Sequence, residues 1–275
     1  MRIALLQFAA GLDVDENAAT IARLARRATD AELVVAPEAA MHDFGEATTP
    51  LGQVAQPLDG PFVDALATLA HQQRATVVAG MFERSDDPER PYNTVVVIGP
   101  DGSLTAAYRK IHLYDSFGYR ESDRLLAGPV QPTTIDVGGL RIGLLTCYDL
   151  RFPEHARALV DAGAVALVVP AAWVRGPLKE DHWTTLLRAR AIESTAYVAA
   201  AAQCGPTYSA RSMLVDPMGV TVAALGEAEG VVTGELDPAR IADIRERNPA
   251  LRHRRFGSTA GAHGVPSART SDDVR

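Results

Sequence analysis

Apolar positions along this chain fall in short unbroken runs rather than in strict alternation with polar ones. RIALLQF (2–8), AELVVAPE (31–38) and ATVVAGMFE (75–83) read as buried strands, since a strand covered on both faces has no polar side to alternate with. Between them, NAATIARLARRAT (17–29) and PFVDALATLAHQQ (61–73) carry apolar residues at helical spacing, the first with an Arg-rich outer face. The order is βαβαβ. The rhythm then changes: NTVVVIG and LTAAYRK flank the turn sequence PDG, and TTIDV and RIGLLTC meet at GG, so two hairpins are predicted. A helix over 153–162, a strand over 164–170, a helix over 179–194, a strand over 196–203 and a third hairpin around DPMG (216–219) complete the pattern. Such a chain builds an α/β domain whose mixed sheet is covered by helices on one face, and a second packed sheet is the simplest cover for the other. No linker or repeat divides residues 1–256, which read as one domain. The segment 257–275, GSTAGAHGVPSARTSDDVR, is small, polar and without apolar periodicity, and predicts a mobile tail.

Composition narrows the function classes. At 275 residues and 47% hydrophobic, the chain can bury a large core. A net charge of -7 with scattered Lys and Arg offers no basic block for a phosphate backbone, so nucleic acid is not an expected partner. The opening MRIALLQFAA is too short for a signal peptide or a membrane span, and a cytoplasmic location is expected. Two cysteines far apart, Cys147 and Cys204, give no disulfide framework and fit a reduced compartment.

Three residues at the ends of apolar runs carry candidate chemistry: Glu38 after LVVAP, Lys110 after LTAAYR, and Cys147 after RIGLLT. A free cysteine is commonly a small buried filler. Here, however, TCYDLRFPE ends a strand at the cysteine and starts a helix near Pro153, and a tight strand-to-helix turn projects its side chain and offers backbone N–H groups to an oxyanion. None of the seven histidines is singled out as its base, and no H-E-x-x-H or C-x-x-C suggests zinc. A strand-end carboxylate could take the thiol proton, while an ammonium beside it would favour both thiolate and oxyanion. Taken singly, Glu38 and Lys110 could each be a solvated strand terminus; the conjunction with Cys147 is what points to catalysis.

The three stretches VVAPEAA, YRKIHLYD and LLTCYDLRFPE, in this order, resemble the nitrilase superfamily of carbon-nitrogen hydrolases, whose members use a Glu, Lys and Cys triad. DHWTTLLRARAIESTAYVAAAAQCG (181–205) and SMLVDPMG (212–219) extend the likeness towards the branch of omega-amidases and deaminated-glutathione amidases, over residues 2–256. The resemblance implies a four-layer α-β-β-α sandwich with mixed sheets, and subunits paired as a homodimer or higher homo-oligomer. It implies a small-molecule amide substrate, no metal and no organic cofactor. It casts Glu38 as general base, Cys147 as nucleophile, and Lys110 with the backbone of Tyr148 as oxyanion donors. Glu121 in GYRESD stands where a supporting second glutamate is expected. For substrate binding, Arg151 could pair with a substrate carboxylate or with Glu154 or Asp149. Trp173 falls at a pocket-wall position where a Phe is usual, and the charged VRGPLKEDHW departs from the small-amide branch. Tyr92 and Asn93 could line the same site or simply open a strand. The leading expectation is a thiol amidase releasing ammonia from an ω-amide of a dicarboxylic or 2-oxo acid, or from deaminated glutathione. Alternatives are hydrolysis of another C–N bond, as in an N-carbamoyl amino acid or aliphatic amide, a non-catalytic scaffold, or a thiol redox protein.

Overall fold

The computed structural model describes residues 1–257; residues 258–275, which hold nearly all of the expected tail, lie outside the described residues. The first half of the chain contains β1 (Arg2–Gln7), α1 (Val14–Ala25), β2 (Leu33–Val35), α2 (Leu51–Val54), α3 (Pro61–Gln73), β3 (Thr76–Glu83), β4 (Tyr92–Ile98) and β5 (Leu104–Arg109). A two-stranded excursion, β6 (Asp115–Ser116) and β7 (Tyr119–Arg120), precedes β8 (Thr134–Val137) and β9 (Leu140–Leu144). Then follow α4 (Pro153–Asp161), β10 (Ala166–Ala171), α5 (Lys179–Ser194), β11 (Tyr197–Ala202), β12 (Met213–Val215), β13 (Thr221–Ala224), β14 (Gly230–Glu235) and α6 (Pro238–Arg247).

Two six-stranded mixed sheets result, in the orders β14-β1-β2-β3-β4-β5 and β13-β12-β11-β10-β9-β8. Parallel pairs occupy the centre of each, β1 with β2 and β2 with β3 in one, β9 with β10 and β10 with β11 in the other. The pleat explains the unbroken apolar runs. Successive side chains of a strand point to opposite faces, and here Ile3 and Leu5 pack between the sheets while Ala4 and Leu6 pack beneath α1 and α3. Residues of both sheets, such as Val35 and Val95 with Leu144 and Val168, form the central layer. Trp183 and Leu187 of α5 and Leu159 of α4 cover the outer face of the second sheet. The architecture is therefore α-β-β-α, and the second sheet is the cover that the first one needed.

The start of one helix and two later elements differ from expectation. Helix α1 starts at Val14 rather than near Asn17, because the Asp13 carboxylate accepts the Glu16 N–H at 2.9 Å and caps it there. Strand β14 and helix α6 were not anticipated. Strand β14 pairs antiparallel with β1, from Arg2 opposite Glu235 to Gln7 opposite Gly230, and α6 is capped by Asp237 and buries only Ile241 and Ile244. Among the described residues no helix is long and apolar enough to cross a membrane.

Candidate active site

The four chemically suggestive side chains converge at one end of the sandwich, brought there by different strands. Glu38 lies just beyond β2, where Ala36 N–H bonds to Val78 O and Met41 N–H to Gly80 O. This loop presses on β3: a Cβ on Gly80 would stand 2.5 Å from Ala39 N and 2.7 Å from Glu38 Cα, so only glycine permits the approach. Lys110 directly follows β5, its N–H bonded to Asn93 O at 2.8 Å. Glu121 follows β7. Cys147 opens a 3₁₀ turn, Cys147–Arg151, between β9 and α4, at a φ of 45°. That left-handed conformation is unusual for a residue with a Cβ and concentrates at functional turns.

Lys110 Nζ binds Glu38 Oε1 at 2.9 Å and both Glu121 oxygens at 3.0 and 2.9 Å. Glu38 is held further by Asn93 Nδ2 on Oε1 at 2.8 Å and by the Ala172 N–H on Oε2 at 2.7 Å. Glu121 accepts the Tyr114 N–H at 2.5 Å. All three charged groups are at most 2% exposed, and Cys147 is 8% exposed. Burial works against the Lys110 ammonium, but the charges of Glu121 and then Glu38 outweigh it and its pKa stands well above the usual value. Burial also raises the Glu121 pKa, opposed by Lys110 and assisted by Glu38. For Cys147, burial and then the Glu38 charge push the thiol well above its ordinary pKa, while Lys110 pulls against them. The resting site thus sets a protonated thiol beside a carboxylate.

Behind the Cys147 turn lies a second polar knot. Asp149, fully buried, accepts from Tyr108 Oη at 2.5 Å, Thr146 N at 2.9 Å and His112 N at 3.2 Å, and its Oδ1 lies 2.7 Å from His112 Nδ1. Burial opposes its charge, yet His112 and His155 hold its pKa below the usual carboxylate range. His112 stacks on Phe152, with centroids 3.7 Å apart. This knot ties the Lys110 segment to the Cys147 turn. His112, Asp149 and His155 bring ligand-type atoms within 4.8 Å of one another, but the Asp149 oxygens are taken up by these hydrogen bonds.

A cavity of about 510 Å³ opens over the site, with Glu38, Lys110, Glu121 and Cys147 in its wall. Of the residues expected to bind substrate, Tyr148 and Trp173 line it and Arg151, Tyr92 and Asn93 do not. Arg151 pairs with no carboxylate among the described residues, neither Glu154 nor Asp149; its guanidinium sits 4.8 Å over the Trp173 ring and 3.4 Å from His182 Nδ1. Asn93 holds Glu38 and, at 3.3 Å, Glu121. Its neighbour Tyr92 packs instead under Arg109, 4.3 Å from ring to guanidinium. Adjacent strand residues face opposite ways, so only one of the pair could reach the cluster. Sequence reasoning missed the Ala172 N–H, the Asp149 knot and Lys179, whose ammonium faces the cavity among aromatic rings. The one available signal for Lys179 was a cation opening a helix, where acidic residues are favoured.

Comparison with solved structures supports the class first. Saccharomyces cerevisiae Nit3, a member of branch 10 of the nitrilase superfamily, superimposes with a TM-score of 0.83 at 30% identity, over 93% of this chain and 97% of that one. A variant of the amidase from Nesterenkonia sp. AN1, in which acrylamide has added at the active-site cysteine, gives 0.78 at 29% identity, over 90% and 97%. At the level of sequence, the deaminated glutathione amidase of Escherichia coli O157:H7 is 41% identical over 259 residues, 93% of this chain and 98% of that protein. Residues 2–246 match the carbon-nitrogen hydrolase family, and the chain belongs to it.

Proposed function

We propose that the protein is a thiol amidase that releases ammonia from a small carboxamide through a cysteine thioester. The observation that carries this reading is the buried contact of Lys110 with Glu38 and Glu121 beside Cys147. Glu38 takes the thiol proton as sulfur attacks the amide carbon. The oxyanion forms against Lys110 Nζ and the Tyr148 N–H, each donor contributing roughly 3 kcal/mol to the transition state. Ammonia departs with the proton that Glu38 returns. Water, deprotonated by Glu38, then attacks the thioester, and the acid leaves as the thiol regains its proton. Glu121 and Asn93 keep Lys110 and Glu38 aligned. The relatives named deaminated glutathione amidase favour a substrate of that kind or a related ω-amide.

The test is ammonia release by wild type, Cys147→Ala and Glu38→Gln from α-ketoglutaramate, deaminated glutathione, an aliphatic amide and an N-carbamoyl amino acid. Turnover of the first two by wild type, with loss of at least a thousandfold in both variants at unchanged circular dichroism, is expected. Full activity in Cys147→Ala would remove the thioester from the mechanism. Preference for the N-carbamoyl amino acid would move the protein to a different C–N substrate.

A further inference from the structure

The cavity has two electrically different ends. At the catalytic end two carboxylates, Glu38 and Glu121, surround one ammonium, Lys110. Elsewhere in its wall stands Lys179, only 7% exposed and, among the described residues, without any carboxylate within ion-pair distance. Its ammonium lies 4.8 Å from the Tyr114 ring, 4.8 Å from Phe117 and 5.3 Å from Trp173, and donates to Tyr114 Oη at 3.0 Å. Rings and one phenol oxygen solvate a cation incompletely, and a buried charge is expected to have a counter-charge. Arg151 worsens the balance: among the described residues it too is without a carboxylate partner, and it lies over the same Trp173 ring. Burial and then the Arg151 charge lower the Lys179 pKa, a sign of an uncompensated positive locus.

The backbone makes the placement still harder to explain by folding alone. Lys179 is the first residue of the long helix α5, the end at which the helix dipole already disfavours a cation. Leu178 before it has a φ of 58° and gives no side-chain cap. Yet the position is fastened, for the Trp173 indole N–H donates to Lys179 O at 2.7 Å. A residue that offends local rules and is nonetheless held in a cavity wall is a candidate for function.

We propose that Lys179 is the residue that clamps the carboxylate of such an ω-amide, at the end remote from the scissile bond, and that it sets the preference over a neutral amide of the same length. The inference rests on the amidase reading above and deepens it. The neutral carboxamide enters the end occupied by Glu38 and Glu121, where a second anion is repelled, and the remote carboxylate replaces the missing counter-ion of Lys179. Polarity thereby sets the direction in which the substrate lies.

The test pairs glutaramate with its neutral twin pentanamide. Wild type is expected to show a kcat/KM for glutaramate at least a hundredfold above that for pentanamide. Lys179→Met is expected to reduce this ratio at least tenfold, and Lys179→Arg to restore most of it. Equal wild-type kcat/KM values would overturn the clamp without any variant, and so would a ratio unchanged in Lys179→Met. Binding without turnover separates this proposal from the amidase reading. Glutaramate titrated into Cys147→Ala, followed by tryptophan fluorescence, should bind at least tenfold more tightly than to Cys147→Ala/Lys179→Met. Absence of ammonia release by wild type, with this binding difference intact, would sink the amidase reading and leave the clamp standing. Equal binding by the two proteins would overturn the clamp whatever the turnover.

Discussion

At Cys147, burial and the Glu38 charge hold the thiol well above its ordinary pKa, so the proposed attack needs a proton acceptor at the moment of reaction rather than a standing thiolate. The same enclosure governs Asp149. Its charge is accepted in the interior only because Tyr108, Thr146 and His112 all donate to it. With a folded-state pKa below the unfolded value, this group contributes stability that is fully present above about pH 4 and is lost as the pH falls towards the folded value. Asp149→Asn should therefore flatten the acid limb of a stability-against-pH curve from urea melts. It should also cost at least ~1–3 kcal/mol at pH 7, since an amide cannot accept from all these donors. A wild-type acid limb retained in the variant would assign that limb to other carboxylates.

Among the elements, strands with both faces covered were the most readable, because a run such as LVV in β2 leaves little alternative to burial between layers. Glu38, Lys110 and Cys147 stood out for the same reason, as the polar punctuation of apolar runs. Strand β14 was hidden by Gly230 and Gly234, which break its apolar pattern, and by a partner, β1, at the other end of the chain. Helix α6 buries too little to show a stripe. Lys179 became meaningful only when folding brought Tyr114, Phe117 and Trp173 around it. The close approach of β3 to the Glu38 loop supplies the prediction at this scale. Gly80→Ala forces backbone against backbone, and should lower stability by about 1–3 kcal/mol in thermal or urea unfolding. In protein still folded at assay temperature, kcat should fall more than tenfold as Glu38 moves; an unchanged kcat would show that the loop adapts without moving its carboxylate.

Over the whole molecule, exposed apolar side chains gather where the β12–β13 turn meets α5: Ile192 is 46% exposed, with Met218 at 49% and Val220 at 53% beside it, and a Cβ on Gly219 would touch Ile192. The family resemblance implies a homo-oligomer, and this patch is the surface on which to test that expectation. Analytical ultracentrifugation should give twice the chain mass for wild type, and Ile192→Glu should shift the distribution towards monomer. A wild-type monomer at micromolar concentration would exclude this assembly.

The candidate site straddles the two sheets. Glu38 and Lys110 leave one, Cys147 and Ala172 leave the other, and Ala172 N–H meets the Glu38 carboxylate across the divide. The apolar layer between the sheets is thus a gauge block: its thickness sets the gap between Glu38 and Cys147 as a spacer sets the jaws of a caliper. Trimming a methyl group far from the chemistry, or squeezing the interior by hydrostatic pressure, alters that gap before it melts any strand. Activity is consequently the more sensitive instrument for the state of this core, and it should fade while spectroscopy still reports an intact fold.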